Sequence, residues 1–151
     1  MRIEKKITDS KNYGDKRKTS DIQYIVVMSL GDKPTPHYHI ADGKAYQIVP
    51  DSNLSKSVNG AKMNRRGIYH GICTTYNSIS IGMVDNPSQE DTEMCLRLMM
   101  TIMQRYNIPY NKVIRKRDVT GEINPEIWDD DNKWKLKVME RLKKKLDMNE
   151  Q

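Results

Sequence analysis

Phenylalanine is missing from this chain, and apolar residues are scarce: 36% of 151 positions, against 30% charged. Any core therefore falls to Ile, Leu, 8 Tyr and an unusual 10 Met, a residue that packs adaptably but specifies shape weakly. Only two cysteines occur, Cys73 and Cys95, without the spacing of a metal site. Cys95 falls on the apolar face of a predicted helix, which points to a buried thiol. No apolar run is long enough to cross a membrane and no apolar leader opens the chain. The expectation is a cytoplasmic protein, in a bacterial host cell, with no membrane partner. No internal repeat is present, and the length suits one compact domain.

Positive charge is what the chain has in excess: 26 Lys and Arg against 20 Asp and Glu, a net charge of +6. The basic residues crowd both ends, in RIEKK, KNYGDKRK and RLKKKL. Such runs are ordinarily solvated arms or helix faces. They favour anionic partners in general, but no nucleic-acid-binding signature accompanies them, so nucleic acid is not the expected partner.

Periodicity supplies the elements. Residues 1–20 read as a basic, extended lead-in, and 21–151 as the folded domain. YIVVMSL (Tyr24–Leu30) is a continuous, β-branched apolar run, the pattern of a strand buried on both faces. His37–Pro50 reads as two strands joined at Asp42-Gly43, a dipeptide suited to a tight hairpin. The stretch from Asp51 to Asn77 is loop-rich, and SISIGMV (Ser78–Val84) is another buried strand. Ser88 is a good N-cap, with Glu90 and Asp91 suited to the positive end of the helix that follows. Cys95, Leu98, Met99, Ile102 and Tyr106 lie along that helix at core spacing, and Asn107-Ile108-Pro109 ends it. KVIRKRDV reads as a short strand. Trp134, Val138 and Leu142, four apart, mark a C-terminal amphipathic helix, whose N-terminal acids explain Asp129–Asp131 better than a cation site does. Leu136 and Met139 put apolar groups on a second face, which leaves a homo-oligomer open. The sum is an α/β single domain, a central mixed sheet of about five strands packed by helices.

These segments stand in an order that resembles one family. Val26-Val27-Met28, Pro36-His37-Tyr38, Tyr46-Gln47-Ile48-Val49-Pro50-Asp51 and Asn77-Ser78-Ile79-Ser80-Ile81-Gly82 follow its pattern. So do Tyr106-Asn107-Ile108-Pro109 and, without a gap, Val113 to Pro125. Together they resemble the zinc-dependent N-acetylmuramoyl-L-alanine amidases of the phage-lysozyme and peptidoglycan-recognition type, including clostridial and phage endolysins. The resemblance implies Zn2+ held by two His and one Cys with an open position for water. Carried onto this chain, the first His position is Met28, the second Lys116, and the Cys position Asn124. A Glu found in many members is Gly82, and a pocket His falls near Ser57. A thioether, an ammonium and a carboxamide do not make a zinc site, and the charge on Lys116 repels a metal. His37 and His39, an i,i+2 pair, are weak substitutes, and His70 is isolated. No catalytic residues, metal or cofactor are expected, and the resemblance implies a pseudo-amidase.

The replacements make the implied pocket positive. Lys116 beside Asn124 suits a phosphate or carboxylate, with Met28 on the floor. Arg65 and Arg66 stand in a bordering loop with Ser57, and Tyr38 and Tyr69, with Tyr46 and Tyr76, are stacking candidates. Arg115 and Arg117, by strand alternation, point away from Lys116. The leading expectation is a non-catalytic binder of an anionic small molecule. In an infected cell that ligand would be a nucleotide-type immune signal sequestered by a phage-encoded protein. The alternatives are a non-catalytic muropeptide or peptidoglycan binder, and a protein inhibitor using basic residues such as Lys143 to Lys145.

Overall fold

The apolar run at Tyr24 forms strand β2 (Tyr24–Ser29), its first five residues fully covered. A strand flanked on both edges needs neighbours, and β2 has two parallel ones: β5 (Ser78–Met83) and β6 (Val113–Arg115). The computed structural model describes residues 1–31, 35–55 and 67–149. Within them β3 (Tyr38–Ala41) and β4 (Lys44–Gln47) form the expected antiparallel hairpin. Asp42 and Gly43 turn it with φ of 52° and 69°, left-handed values that match the twist of the strands. β3 lies parallel to β5. The outer edge is β1 (Ile3–Lys5), parallel to β4, giving the order β1-β4-β3-β5-β2-β6. The sheet thus has six strands, one more than expected. The sixth comes from the basic lead-in, where three residues are too few for a periodic pattern to register.

One sheet face is packed by helices. Helix α1 (Gln89–Tyr106) starts as expected at Ser88, whose hydroxyl accepts from the Asp91 N–H (3.0 Å) while Asp91 accepts from the Ser88 N–H (3.0 Å). Asn107, left-handed at φ 58°, ends it. Cys95, Leu98, Met99 and Ile102 of α1 pack on Ile25, Val27, Ile40, Ile79, Ile81 and Met83 of the strands. Each such fully buried side chain is worth about 1.5–3 kcal/mol.

The C-terminal helix completes that layer. It begins as α3 (Asp131–Trp134), capped by Asp130 through the N–H groups of Asn132 (2.8 Å) and Lys133 (3.1 Å). It continues through a π-helical turn (Lys135–Met139) into α4 (Glu140–Asn149). The π turn answers the sequence. An α-helix has 3.6 residues per turn, so residues four apart drift by about 40° at each step. A wider turn brings Trp134, Val138 and Leu142 back into line, and all three are buried in the helix-side core.

KVIRKRDV departs from the expectation of a strand. Pairing stops at Arg115 and the chain turns directly into a short helix, α2 (Lys116–Thr120), closed by left-handed Gly121. The Asp118 carboxylate accepts from the Arg115 N–H (2.9 Å), capping the helix start where a ladder bond would otherwise be. Strand alternation therefore holds through Arg115 and says nothing about which way residues 116 and 117 point.

Candidate functional site

The other sheet face carries the altered positions. Tyr24, Val26 and Met28 of β2 pack there with Cys73, Ile114 and Val119, and Tyr69 lies against them. Arg115 is paired with Val27 in the ladder, so the first residue of α2, Lys116, stands beside the end of β2 that carries Met28. Asn124 reaches the same spot from the far side of α2. Its Oδ1 accepts from the Ser29 N–H (2.8 Å), and its carbonyl accepts from the Arg117 N–H (2.8 Å). Residues 28, 116 and 124, far apart in sequence, thus gather at the carboxyl ends of β2 and β6.

All three are buried. Met28 is fully enclosed in the apolar cluster, so its thioether is packing rather than pocket floor. Asn124 is held by the backbone it accepts from. Lys116 is 7% exposed and forms no ion pair among the described residues. A lysine this largely covered favours an anion at its ammonium.

The row continues across the sheet. Met28 is in register with Gly82, and Gly82 with His39. A Cβ at Gly82 would lie 2.9 Å from Pro36 Cγ and 3.1 Å from Leu30 Cδ1, so the space for a side chain there is already filled. His39 Nε2 is buried with no hydrogen-bond partner among the described residues, and burial lowers the pKa of the ring. Tyr69 meets Tyr24 edge-on at 5.8 Å between centroids.

Other expected site residues lie elsewhere. Tyr38 belongs to the helix-side core, its hydroxyl donating to Asp51 Oδ1 (2.7 Å), so it cannot stack on a ligand near Met28. Asp51 also takes Arg105 (3.0 Å) and the Tyr106 hydroxyl, locking the end of α1 to the strands. Ser57, Arg65 and Arg66 fall outside the described residues. Tyr76 is exposed. His37 and His39 are not a pair on one strand: His37 precedes β3, and its ring is locked. Its Nε2 lies 2.8 Å from the Asn53 carbonyl, and its Nδ1 accepts from the Ser80 N–H (3.2 Å). Burial, then the Arg17 guanidinium 3.2 Å away, pulls the His37 pKa down to about 4. Among the described residues no three His, Cys, Asp or Glu side chains form a group able to hold a metal ion.

Two clamps went unread in the sequence. Arg17 donates to the carbonyls of Asp51 (2.9 Å), Thr75 (3.0 Å) and Ser78 (2.6 Å), tying the N-terminal segment under this face. Arg115, expected to point away from Lys116, does face the helix-side residues Trp128 and Trp134, and it is buried there. It binds both Asp118 oxygens (3.0 and 3.2 Å), Asp131 (2.7 Å) and the carbonyls of Trp128 (2.9 Å) and Asp129 (3.0 Å). A single Arg in a basic stretch gives no signal of burial; only its spatial partners do.

The sequence pattern of the N-acetylmuramoyl-L-alanine amidases (Amidase_2) matches residues 6–134. The chain belongs to this family. Solved amidase-like structures share its fold. PlyL (an E90A mutant) superposes with a TM-score of 0.72 at 18% identity, over 95% of this chain and 99% of that one. The PlyG catalytic domain gives 0.71 at 20%, over 95% and 94%. The N-acetylmuramoyl-L-alanine amidase LysC from Clostridium intestinale URNW gives 0.59 at 15%, over 83% and 89%. No curated protein sequence matches the chain.

The amidase resemblance implies a zinc ion, and among the described residues those at positions 28, 82, 116 and 124 do not fit one. Zinc takes imidazole, thiolate or carboxylate donors. Here an enclosed thioether, a lysine ammonium without a lone pair, and a carboxamide oxygen bound to Ser29 stand instead. At Gly82 the room for a carboxylate is taken by Leu30 and Pro36.

Proposed function

We propose that this amidase-family protein is non-catalytic and captures an anionic small molecule through Lys116. One observation carries the reading: a lysine 7% exposed as a residue and without an ion pair among the described residues, at a position where the family's pattern has a metal ligand. An oxyanion would supply the missing counter-charge and several charge-assisted hydrogen bonds. Muropeptide carboxylates and nucleotide phosphates share this chemistry. The family's name favours the first. The second is the sequestration of a nucleotide immune signal in a phage-infected cell.

Thermal unfolding against Zn2+, soluble muropeptides and linear and cyclic nucleotides tests the reading. A ligand at a hundredfold excess over its Kd should stabilise by about 2.7 kcal/mol, moving the midpoint by about 5–10 °C. Lys116→Glu should abolish that shift. Lys116→Met, which keeps the packing, should abolish it as well while leaving the protein folded. An unchanged shift in the folded Lys116→Met protein would overturn the assignment. Cleavage of muropeptides on addition of Zn2+ would overturn the non-catalytic reading.

A further inference from the structure

The C-terminal helix carries a second regularity beside its apolar stripe. Lys133, Lys137, Arg141 and Lys145 stand four apart, each one residue before Trp134, Val138, Leu142 and Leu146. The π-helical turn that realigns the apolar residues realigns these cations too, into a row along α1. Such turns recur at functional sites, since the wider hydrogen-bonding pattern is rarely kept without use.

The row is only half neutralised. Glu93 of α1 binds Arg141 (2.7 Å) and Lys145. The nearest run of acids is already committed: Asp129 to Arg117 (2.7 Å), Asp130 to the helix cap, and Asp131 to Arg115. Lys133 and Lys137 form no ion pair among the described residues. Both open, with Arg141, onto a cavity of about 340 Å3 between this helix and the start of α1. Ile127 and Trp128 give it an apolar wall, and Gln89 a polar one. The volume is in the range of small-molecule sites, and an apolar wall with a few convergent charges is their usual make-up.

We propose that this cavity is a second binding site, on the helix side of the sheet and independent of Lys116. It would take a small organic oxyanion, its ring or apolar body against Ile127 and Trp128 and its phosphate or carboxylate between Lys133 and Lys137. The 124–128 segment touches both sites, with Asn124 at one and Trp128 at the other, so each is fixed relative to the other.

Phenyl phosphate is a suitable probe, followed by amide and indole NMR shifts of the full chain, with sodium benzoate as the carboxylate arm. Saturable shifts at Gln89, Thr92 and the Trp128 indole are expected with at least one of the two probes. Lys133→Glu/Lys137→Glu should weaken that binding by at least about tenfold. The charge-matched Lys135→Glu/Lys144→Glu, at two exposed lysines outside the cavity, should change it by less than about twofold because solvent screens such charges. The proposal is overturned if neither probe gives a saturable shift at these residues. It is overturned equally if both double variants weaken binding alike, which would mean only the diffuse field of a basic helix.

Discussion

Strand β5 shows both faces of this protein in six residues. Ile79, Ile81 and Met83 point into the helix-covered core, while Ser78, Ser80 and Gly82 point to the face that carries Met28 and Lys116. The first face is held by apolar area under α1 and the C-terminal helix. The second is held by a smaller apolar cluster and by buried polar clamps around Arg17 and His37. The difference teaches where change is tolerated. A face held by packing resists substitution at almost every position. A face held by a few clamps can exchange the residues between them, and the family's metal positions lie between them here.

The comparison is sharpened most by a cavity on the helix side. Ile81→Ala should cost about 3–4 kcal/mol in urea unfolding, with the slope unchanged. At the β6 edge of the sheet, Arg115→Ala removes one member of a buried charge cluster and should cost about 3 kcal/mol, despite deleting no apolar core residue. A loss no larger than that of an ordinary surface Arg would break the picture of a clamped edge.

Acid should act through the clamped face. The pKa of His37 is near 4 folded and near 6.5 unfolded, so the native state takes up its proton later than the unfolded chain. Its contribution is complete above pH 6.5 and lost as pH falls toward 4. Between pH 6.5 and 5 that amounts to about 2 kcal/mol. His37→Asn should flatten this limb of the stability–pH profile, while Ile81→Ala should leave its slope intact. Smallest is Ser80→Ala. It deletes the hydroxyl that lies 3.0 Å from the His37 N–H and 2.8 Å from Ser55 Oγ, at about 1–2 kcal/mol. A Ser80→Ala loss equal to that of Ile81→Ala would erase the distinction between the faces.

Much of the fold was legible because its signals are local. The hairpin needed Asp42-Gly43, helix α1 needed Ser88 and its apolar stripe, and β2 and β5 needed only their own composition. The site was legible in part. Family order located residues 28, 116 and 124, and the structure does gather them. Tyr38 was misplaced because a tyrosine in a strand reads the same on either face. KVIRKRDV was misread because two apolar residues do not distinguish a strand's end from a helix's start.

The sequence by itself determined β2 to β5, helix α1 and its core stripe, and the identities at the family's metal positions, all carried by neighbours along the chain. Only the tertiary structure decided that Met28 is sealed in, that Leu30 and Pro36 fill the space at Gly82, and that Arg115 is a buried clamp. It alone aligned the cations of the C-terminal helix on a cavity. Burial and pairing depend on what arrives from distant parts of the chain, and that is set by packing rather than by any local pattern.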